Sequence, residues 1–441
     1  MDKKGGESLE IVRGYHTELD LTNAQRTVCL QHAGCARYAY NWGLARKREA
    51  LAARKAANDP KLVKIPSAID LHKALNALKA TDFPWMYESS KCAPQEALRN
   101  LDVAFANWFA KRAKFPQFKK RSKGIGSFTL TGAIHVGPDW VHLPVIGKIR
   151  LYEHGYLPQD TDLATTDRKT RKKRAQKHRV VTEPAHYLSA TVSEHAGKWF
   201  VSVQVKEVVP DPVPAAGEPV GVDLGIKAMA VCSDGAVIPN PTALRGRLKA
   251  LKRSQRSLSR KKPGSKNRQQ AKAKLAKLHY RIACIREDAL HQATTQITAK
   301  TKPVSDRPAA IILEDLNVAG MLKNHSLAQA IADVGFGEFR RQMTYKSHWY
   351  GNTLFLAHAF FPSTQLCSGC HRLPSVKIDL RIRTYHCEQC GLTLDRDLNA
   401  ALNLQWVYTA SSAELNACGA IVSPSVLVLT AVALKQEPDA R

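Results

Sequence analysis

The sequence predicts a multidomain α+β protein, on three observations. Apolar residues recur at helical spacing from Asn23 to about Lys111, then alternate in short strand-like runs between Ser127 and Val205. Beyond a proline-rich stretch, Pro210 to Pro219, buried strands are separated by long helical segments. With 441 residues the chain can bury two or three separate cores, and a hydrophobic content of 44% sets it apart from disordered chains.

Glu10 to Leu21 reads as a short strand leading into a turn, with Asn23 placed to cap a helix through Val28, Leu30, Tyr38 and Leu44. Helical patterning continues through Ala45 to Ala57 and Ile69 to Leu78. After Pro94 an amphipathic helix sets Leu98, Leu101, Phe105, Trp108 and Phe109 on one face. Ser127 to Thr131, Ala133 to Val136, Trp140 to Leu143 and Lys148 to Leu151 are bounded by Gly and Pro, as in a small barrel or meander. Tyr187 to Val192 and Lys198 to Val205 continue it, and a basic knot at 168–179 interrupts it. Past the linker, Val220 to Cys232 reads as a buried strand, a glycine turn and a second strand. Leu244, Leu248, Leu251 and Leu258, then Leu275, Leu278, Ile282 and Ile285, outline a helical hairpin broken at Lys262-Pro263-Gly264-Ser265. Ala309 to Leu316 is an apolar strand ending in acids. Asp397 opens a last helix, and Ser411 to Arg441 is expected to be weakly ordered.

Sixty-six Lys and Arg against 38 Asp and Glu give a formal charge of +28. An excess of that size implies a polyanionic partner, because each cation can neutralise a phosphate and release counterions. Its distribution is uneven: no acid occurs from Gly235 to Arg286, where sixteen Lys and Arg fall, and eight more lie in 168–179. Such a run repels itself unless it faces a polyanion. Met1 to Gly6 holds no apolar signal core, and Val426 to Leu434 is about half the ~18 residues of a spanning helix, so neither secretion nor membrane spanning is expected. Of ten cysteines, six are scattered, mostly among apolar neighbours, as suits a reducing cytosol.

Two groups of residues carry chemistry. Asp223 lies inside an apolar strand, Glu314 ends Ile311-Ile312-Leu313, and Asp397 stands at a helix start. A buried acid is costly without a compensating cation. Singly, each reads equally well as a carboxylate capping nearby amides. Converging, the three would bind Mg²⁺, and two such ions can activate water and stabilise the leaving oxygen in phosphodiester hydrolysis. Cys367-Ser-Gly-Cys370 and Cys387-Glu-Gln-Cys390, sixteen residues apart, have the spacing of a tetrahedral zinc site with no open position, hence one structural Zn²⁺.

Val220-Gly-Val-Asp223-Leu-Gly-Ile-Lys, Leu313-Glu314-Asp-Leu and Cys390-Gly-Leu-Thr-Leu-Asp395-Arg-Asp397-Leu-Asn-Ala-Ala-Leu-Asn resemble the TnpB (OrfB) family of transposon-encoded, RNA-guided DNA nucleases, relatives of the compact type V CRISPR effectors. Gly34-Cys-Ala-Arg37-Tyr-Ala-Tyr-Asn41, Lys114-Phe-Pro-Gln-Phe-Lys119-Lys120, Leu143 to Arg150, Gln342 to Lys346 and Phe361 to Cys370 extend the resemblance, in the family's order, over roughly residues 10–405. It implies a wedge-like β-barrel (1–21 and 123–212, with the insertion 168–179) interrupted by a helical recognition lobe (22–122). A RuvC-like (RNase H-like) nuclease domain (213–362 and 394–410) follows, with a basic hairpin at 241–300. An inserted zinc element (363–393) and a tail (411–441) complete the expected organisation. Asp223, Glu314 and Asp397 are then the catalytic magnesium ligands, with Asp397 preferred to Asp395 because the family's acid stands two residues before the Asn. Arg383 would lie near the scissile phosphate or contact another. His371 departs from the family, in which a glycine usually follows the first cysteine pair.

The resemblance implies a cytoplasmic, nucleoid-associated prokaryotic endonuclease of an insertion sequence, with one zinc and two magnesium ions. Its partners would be a guide RNA from the transposon end and double-stranded target DNA beside a short adjacent motif. Arg37, Asn41, Lys111, Arg112, Lys119 and Lys120 are nucleic-acid contact candidates; Tyr38, Tyr40 and Trp42 read as base-stacking or as core. A miniature CRISPR effector, a nuclease-inactive guided repressor and a DNA-joining transposase are the alternatives, and the sequence leaves monomer and dimer open.

Overall fold

The computed structural model describes residues 8–57, 63–158, 186–359, 361–379 and 381–417. The basic insertion 168–179 and the chain beyond Ala417 lie outside these residues. Two compact units, Met1–Asp211 and Pro212–Arg441, meet within the proline-rich stretch.

The first unit begins with strand β1 (Ser8–Asp20), longer than its apolar pattern suggested, followed by helix α1 (Asn23–Ala56). Thr22, not Asn23, caps α1: its hydroxyl accepts from the Gln25 amide while the Gln25 side chain accepts from the Thr22 amide. Helices α2 (Ala68–Leu78) and α3 (Cys92–Phe109) pack on α1, and Gly43 lets Leu98, Leu101 and Leu71 approach its backbone. Buried Lys47 pairs with Asp102 at 2.6 Å, and the second oxygen of Asp102 accepts from the amide of Ala68 at the start of α2. One carboxylate thus joins all three helices. Leu98, Leu101 and Phe105 are buried as expected, but Phe109 projects outward and is exposed.

Six further strands complete this unit: β2 (Ser127–Leu130), β3 (His135–Val136), β4 (Trp140–Leu143), β5 (Gly147–Leu151), β6 (His186–His195) and β7 (Lys198–Pro210). The expected barrel is instead an open antiparallel sheet of order β2-β6-β7-β1-β5-β4-β3 among the described residues. β1 and β7 pair from Ser8 to Leu19, whereas β1 meets β5 only at Leu19 and Asp20. The β3–β5 meander therefore hangs from one end of β1, and its edge strand does not return to pair with β2.

The second unit has a five-stranded mixed sheet of order β10-β9-β8-β11-β12. Its strands are β8 (Val220–Leu224), β9 (Ala228–Cys232), β10 (Val237–Pro239), β11 (Ala310–Glu314) and β12 (Thr353–Ala357). β8, β11 and β12 run parallel, as strands joined by long crossovers do. The crossover from β10 to β11 is the basic hairpin, α4 (Ala243–Ser259) and α5 (Lys266–Ile297), turned by Gly264 at φ +83°. Two short helices, α6 (Val318–Met321) and α7 (Ala328–Val334), precede α8 (Phe336–Tyr350). After the cysteine segment and its small ribbon, β13 (Thr384–His386) and β14 (Thr393–Asp395), comes α9 (Arg396–Ala417). It runs seven residues past the expected start of the tail.

Side-chain alternation divides the sheet's faces. Val222, Ile311, Leu313 and Leu356 meet Leu290, Ala293 and Ile297 of α5 and Phe336, Phe339 and Met343 of α8. Ala310, Ile312 and Ala357 meet Leu404 and Val407 of α9. Period two therefore sends Gly221, Asp223 and Glu314 to the α9 face.

Polar anchors hold the helices in place. Thr242 at φ +42° makes no side-chain cap for α4, and buried Asp333 of α7 accepts instead from the amides of Leu244 and Arg245. Lys346 of α8, buried, donates to the His291 carbonyl at 2.8 Å and to the hydroxyls of Thr294 and Thr295 at 2.7 Å each. Burial holds its ammonium down to about 8.

A close backbone approach between sheet and helix is at Gly221. A Cβ there would run into the Ala401 carbonyl and come within 2.6 Å of the Gln405 nitrogen. Gly221→Ala is therefore expected to destabilise the protein by about 2 kcal/mol or more, as overpacking against backbone does. Urea unfolding measures the loss; an unchanged midpoint would contradict the packing described.

Candidate active site and metal centre

Three elements deliver the acids. The parallel pairing of β11 with β8 sets Leu313 beside Val222, so Glu314 and Asp223 are the next residues along neighbouring strands. The third, Asp397, occupies the first turn of α9, the helix seated on Gly221. Asp395 caps that helix: its Oδ1 accepts from the amides of Asp397 at 2.8 Å and Leu398 at 3.3 Å. Asp395 thus serves as the cap, while the charge of Asp397 bears on Asp223 more strongly than that of Asp395.

Electrostatics couple Asp223 to the other two acids. Burial, then the charges of Glu314 and Asp397, push the Asp223 carboxyl up to about 8, with Arg396 opposing. Glu314 is also raised by burial, while a hydrogen bond donated by the Ser363 hydroxyl draws it back. Two guanidiniums reach Asp397: Arg396 Nη2 at 3.2 Å and Arg383 Nη1 at 3.5 Å. Arg396 is buried and also donates to the Ile382 carbonyl, whereas Arg383 is half exposed at the edge of the cluster. The charges of Glu314 and Asp397 thus both bear on the buried Asp223 carboxyl.

The four cysteines converge, with all sulfurs within 4.8 Å of one another. Cys367 and Cys390 lie 3.6 Å apart, as do Cys370 and Cys387. A tetrahedron of Zn–S bonds of about 2.3 Å has edges of about 3.8 Å, so the set fits one zinc with no open position. Backbone amides of Cys390 and Gln389 draw the Cys387 thiol down to about 6, while its partners Cys370 and Cys390 are shifted up. His371 follows the first pair at φ +51°, the conformation for which glycine is the usual choice. Its ring stacks on Trp406 of α9, with centroids 4.1 Å apart and planes at 14°.

This element is tied to the acids by side chains that the sequence reading did not single out. Asn399 accepts from the Ser368 amide and donates to the Leu366 carbonyl; Asn403 donates to the carbonyls of Ser363 and Leu366. Both asparagines are fully buried, four residues apart on one face of α9. Their signal was present in Asp397-Leu-Asn-Ala-Ala-Leu-Asn, as polar residues at helical spacing among apolar ones.

Of the nucleic-acid candidates, Arg37, Asn41, Lys119 and Lys120 border two adjoining recesses, while Lys111 and Arg112 lie apart from them. Asn41 is spent on backbone, donating to the Lys119 carbonyl and accepting its amide. Arg37 donates to the Ile125 carbonyl, and the Lys119 ammonium lies 4.2 Å from the Tyr40 ring. Lys111 and Arg112 are exposed where α3 ends, and Lys120 is exposed beside Lys119. Tyr40 is buried core, whereas Tyr38 and Trp42 border an open recess.

The acid cluster predicts a pH signature for the metal-free protein. Asp223 rises from its ordinary 3.8 to about 8 on folding. Between those values the folded chain keeps a proton that the unfolded chain releases, so stability falls as pH rises from about 4 toward about 8. Asp223→Asn should flatten that decline and raise the melting temperature at pH 8 in chelator by several degrees; an unaltered pH profile would contradict the burial and repulsion described.

Residues 200–325 match the OrfB_IS605 family model, described as "Probable transposase", and residues 336–404 match "Cas12f1-like, TNB domain". Residues 11–56 match a model described as "Helix-turn-helix domain", although here they form most of β1 and the uninterrupted α1. In fold the chain is similar to the protein of a "Cas12f1-sgRNA-target DNA complex", with a TM-score of 0.50 over 90% of this chain and 99% of that one at 11% identity. A Streptomyces pristinaespiralis protein named "Putative RNA-guided DNA endonuclease" is 32% identical over 94% of this chain and 93% of its own. An Escherichia coli K12 protein, "Putative RNA-guided DNA endonuclease InsQ", is 30% identical over 92% of each. Identity of this extent, carried over almost the whole length of both proteins, means that the chain belongs to the OrfB_IS605 (TnpB) family.

Proposed function

We propose that this chain is an RNA-guided DNA endonuclease of an insertion sequence, in which Asp223, Glu314 and Asp397 form a RuvC-like hydrolytic site. The observation that supports the reading is the buried Asp223 carboxyl, on which the charges of Glu314 from the neighbouring strand and Asp397 from the first turn of α9 both act. Two magnesium ions held by these acids would activate water and neutralise the leaving oxygen of a phosphodiester. The chain's own groups prepare for that chemistry. Ser363 orients the Glu314 carboxylate, Asp395 fixes the first turn of α9, and Arg396 offsets charge at Asp397. Arg383, half exposed, would exchange Asp397 for a phosphate oxygen of the DNA.

Zinc held by Cys367, Cys370, Cys387 and Cys390 would have a structural role, fixing the segment that carries Ser363 and Arg383. Guide RNA and target DNA account for the cationic surface, chiefly the α4–α5 hairpin. Among the described residues no helix is long and apolar enough to cross a membrane. The fold likeness to Cas12f1 marks a related kind of protein and does not favour a CRISPR setting over a transposon.

Protein purified with its co-expressed RNA, challenged with plasmids whose sequences flanking the guide match are randomised, should cut only with matching guide, a defined adjacent motif and Mg²⁺. Asp223→Ala or Asp397→Ala should abolish cutting while RNA stays bound; equal cutting would sink the assignment. Asn403→Ala, which releases Ser363 and Leu366, should slow cutting about 10- to 100-fold, the usual cost of removing a supporting residue.

One zinc per chain is expected by elemental analysis. Chelation should lower the melting temperature and open residues 363–393 to protease; an unchanged protease pattern would remove the structural role.

A further inference from the structure

Two recesses in the first unit share one wall. The larger, about 550 Å³, is bordered by Tyr38, Trp42 and Trp85 with Arg37 and Gly34. Its neighbour, about 320 Å³, is bordered by Arg37, Phe118, Lys119 and Lys120. Arg37 stands in both. Tyr38 and Trp42 are one helical turn apart on α1, and Trp85 reaches them from the 3₁₀ turn Pro84–Glu88, its ring edge-on to Tyr38 with centroids 5.4 Å apart. Trp85 is 41% exposed, an unusual position for a tryptophan unless its face has work to do.

The charge around the recesses is of one sign. Among the described residues no ion pair joins Arg37, Lys119 or Lys120 to a carboxylate, and no acid borders either recess. Burial, then the charge of Arg121, holds the Arg37 guanidinium below the usual arginine range. Arg37 itself cannot swing freely, because it donates to the Ile125 carbonyl at 2.9 Å. It is a fixed positive wall with donors left over.

An aromatic recess of this volume, adjoining a cationic one, matches a ligand with a flat π face and an anionic group a few ångströms away. We propose that these recesses bind a single unpaired nucleotide, its base among Tyr38, Trp42 and Trp85 and its phosphate toward Arg37, Lys119 and Lys120. Stacking on aromatic faces tolerates any base, so the site anchors a strand without reading its sequence. The inference rests on the nucleic-acid reading above and adds a defined point of attachment, in the unit that lacks the acids.

The full-length protein is mixed with a uridine oligonucleotide carrying 5-iodouridine or, separately, a thymidine oligonucleotide carrying 5-iododeoxyuridine, irradiated, digested and mapped by mass spectrometry. Crosslinks to Tyr38, Trp42 or Trp85 are expected, and the arm that yields them identifies whether RNA or DNA occupies the site. Crosslinks confined to other peptides would overturn this proposal and leave the nucleic-acid reading intact; no binding of either oligonucleotide would overturn both. Trp85→Ala should weaken oligonucleotide affinity about fivefold or more, and Trp85→Phe should hold within about twofold. Because Trp85 is a partly exposed turn residue, both variants should fold, and equal affinity for Trp85→Ala would overturn the site.

Discussion

The missing side chain at residue 221 is the constraint on which the second unit depends. A helix normally rides on a sheet at a distance set by the side chains between them, but α9 sits with the Ala401 carbonyl and the Gln405 nitrogen directly against β8. Gln405 adds a hydrogen bond to the Pro219 carbonyl at 2.8 Å, fixing the helix along the strand. The same strand face then presents Asp223 two residues on, and the first turn of α9 presents Asp397. Any side chain at 221 would lift the helix and draw the two carboxylates apart. The packing thus compels an unfavourable meeting of charges, the kind of local cost that folds sustain at functional sites.

The cysteine segment belongs to the same construction. It leaves the sheet after β12 and returns at α9, so its two ends are held where the acids are. Asn399 and Asn403 take up the backbone of Ser363, Leu366 and Ser368, leaving few polar groups of the entering chain unpaired. Between these ends the apolar content is slight: Tyr385 is buried with Cys367 and Cys387, and Leu373, Val376 and Ile382 are exposed. A segment of this size cannot hold its shape by burial alone, which is why four convergent thiols matter. His371 shows the same economy. It adopts a backbone conformation that disfavours a side chain and gains a stacked contact with Trp406 in return.

Features encoded by neighbouring residues were legible in the sequence. The apolar runs around Asp223 and Glu314, the paired cysteines, the break at Lys262 to Ser265 and the linker all depend on local pattern, and the structure has strands, cluster, turn and unit boundary there. What was not legible depends on partners far away in the chain. Strand alternation cannot say whether β2 meets β3, so an open sheet and a barrel read alike. The cap of α1 fell to Thr22 because Gln25 answers it three residues on, a pairing that outweighs a lone Asn at 23. Phe109 lies one residue past the turn that buries Phe105, and the periodicity of α3 does not reveal where its partner surface ends. Trp85 escaped notice because a 3₁₀ turn has no amphipathic signature. Among the acids, the family pattern preferred Asp397, and only the hydrogen bonds of Asp395 give that preference a physical reason.

A strongly cationic protein faces a particular difficulty in keeping an acidic site open. With 28 positive charges in excess, lysines or arginines could neutralise every carboxylate and leave nothing for a metal. Here the arginine contacts fall on Asp397 alone among the three: Arg396 and Arg383 reach it, Glu314 is met by a neutral hydroxyl, and Asp223 has no ion pair among the described residues. Burial and the charges of Glu314 and Asp397 outweigh the opposing charge of Arg396 and leave Asp223 holding a proton near neutral pH. A proton held there by burial leaves by titration alone, whereas a paired ammonium must be moved away with its side chain. Burying the acids therefore costs folding energy but keeps Asp223 and Glu314 from pairing with the chain's own cations, as an exposed cluster in this sequence would.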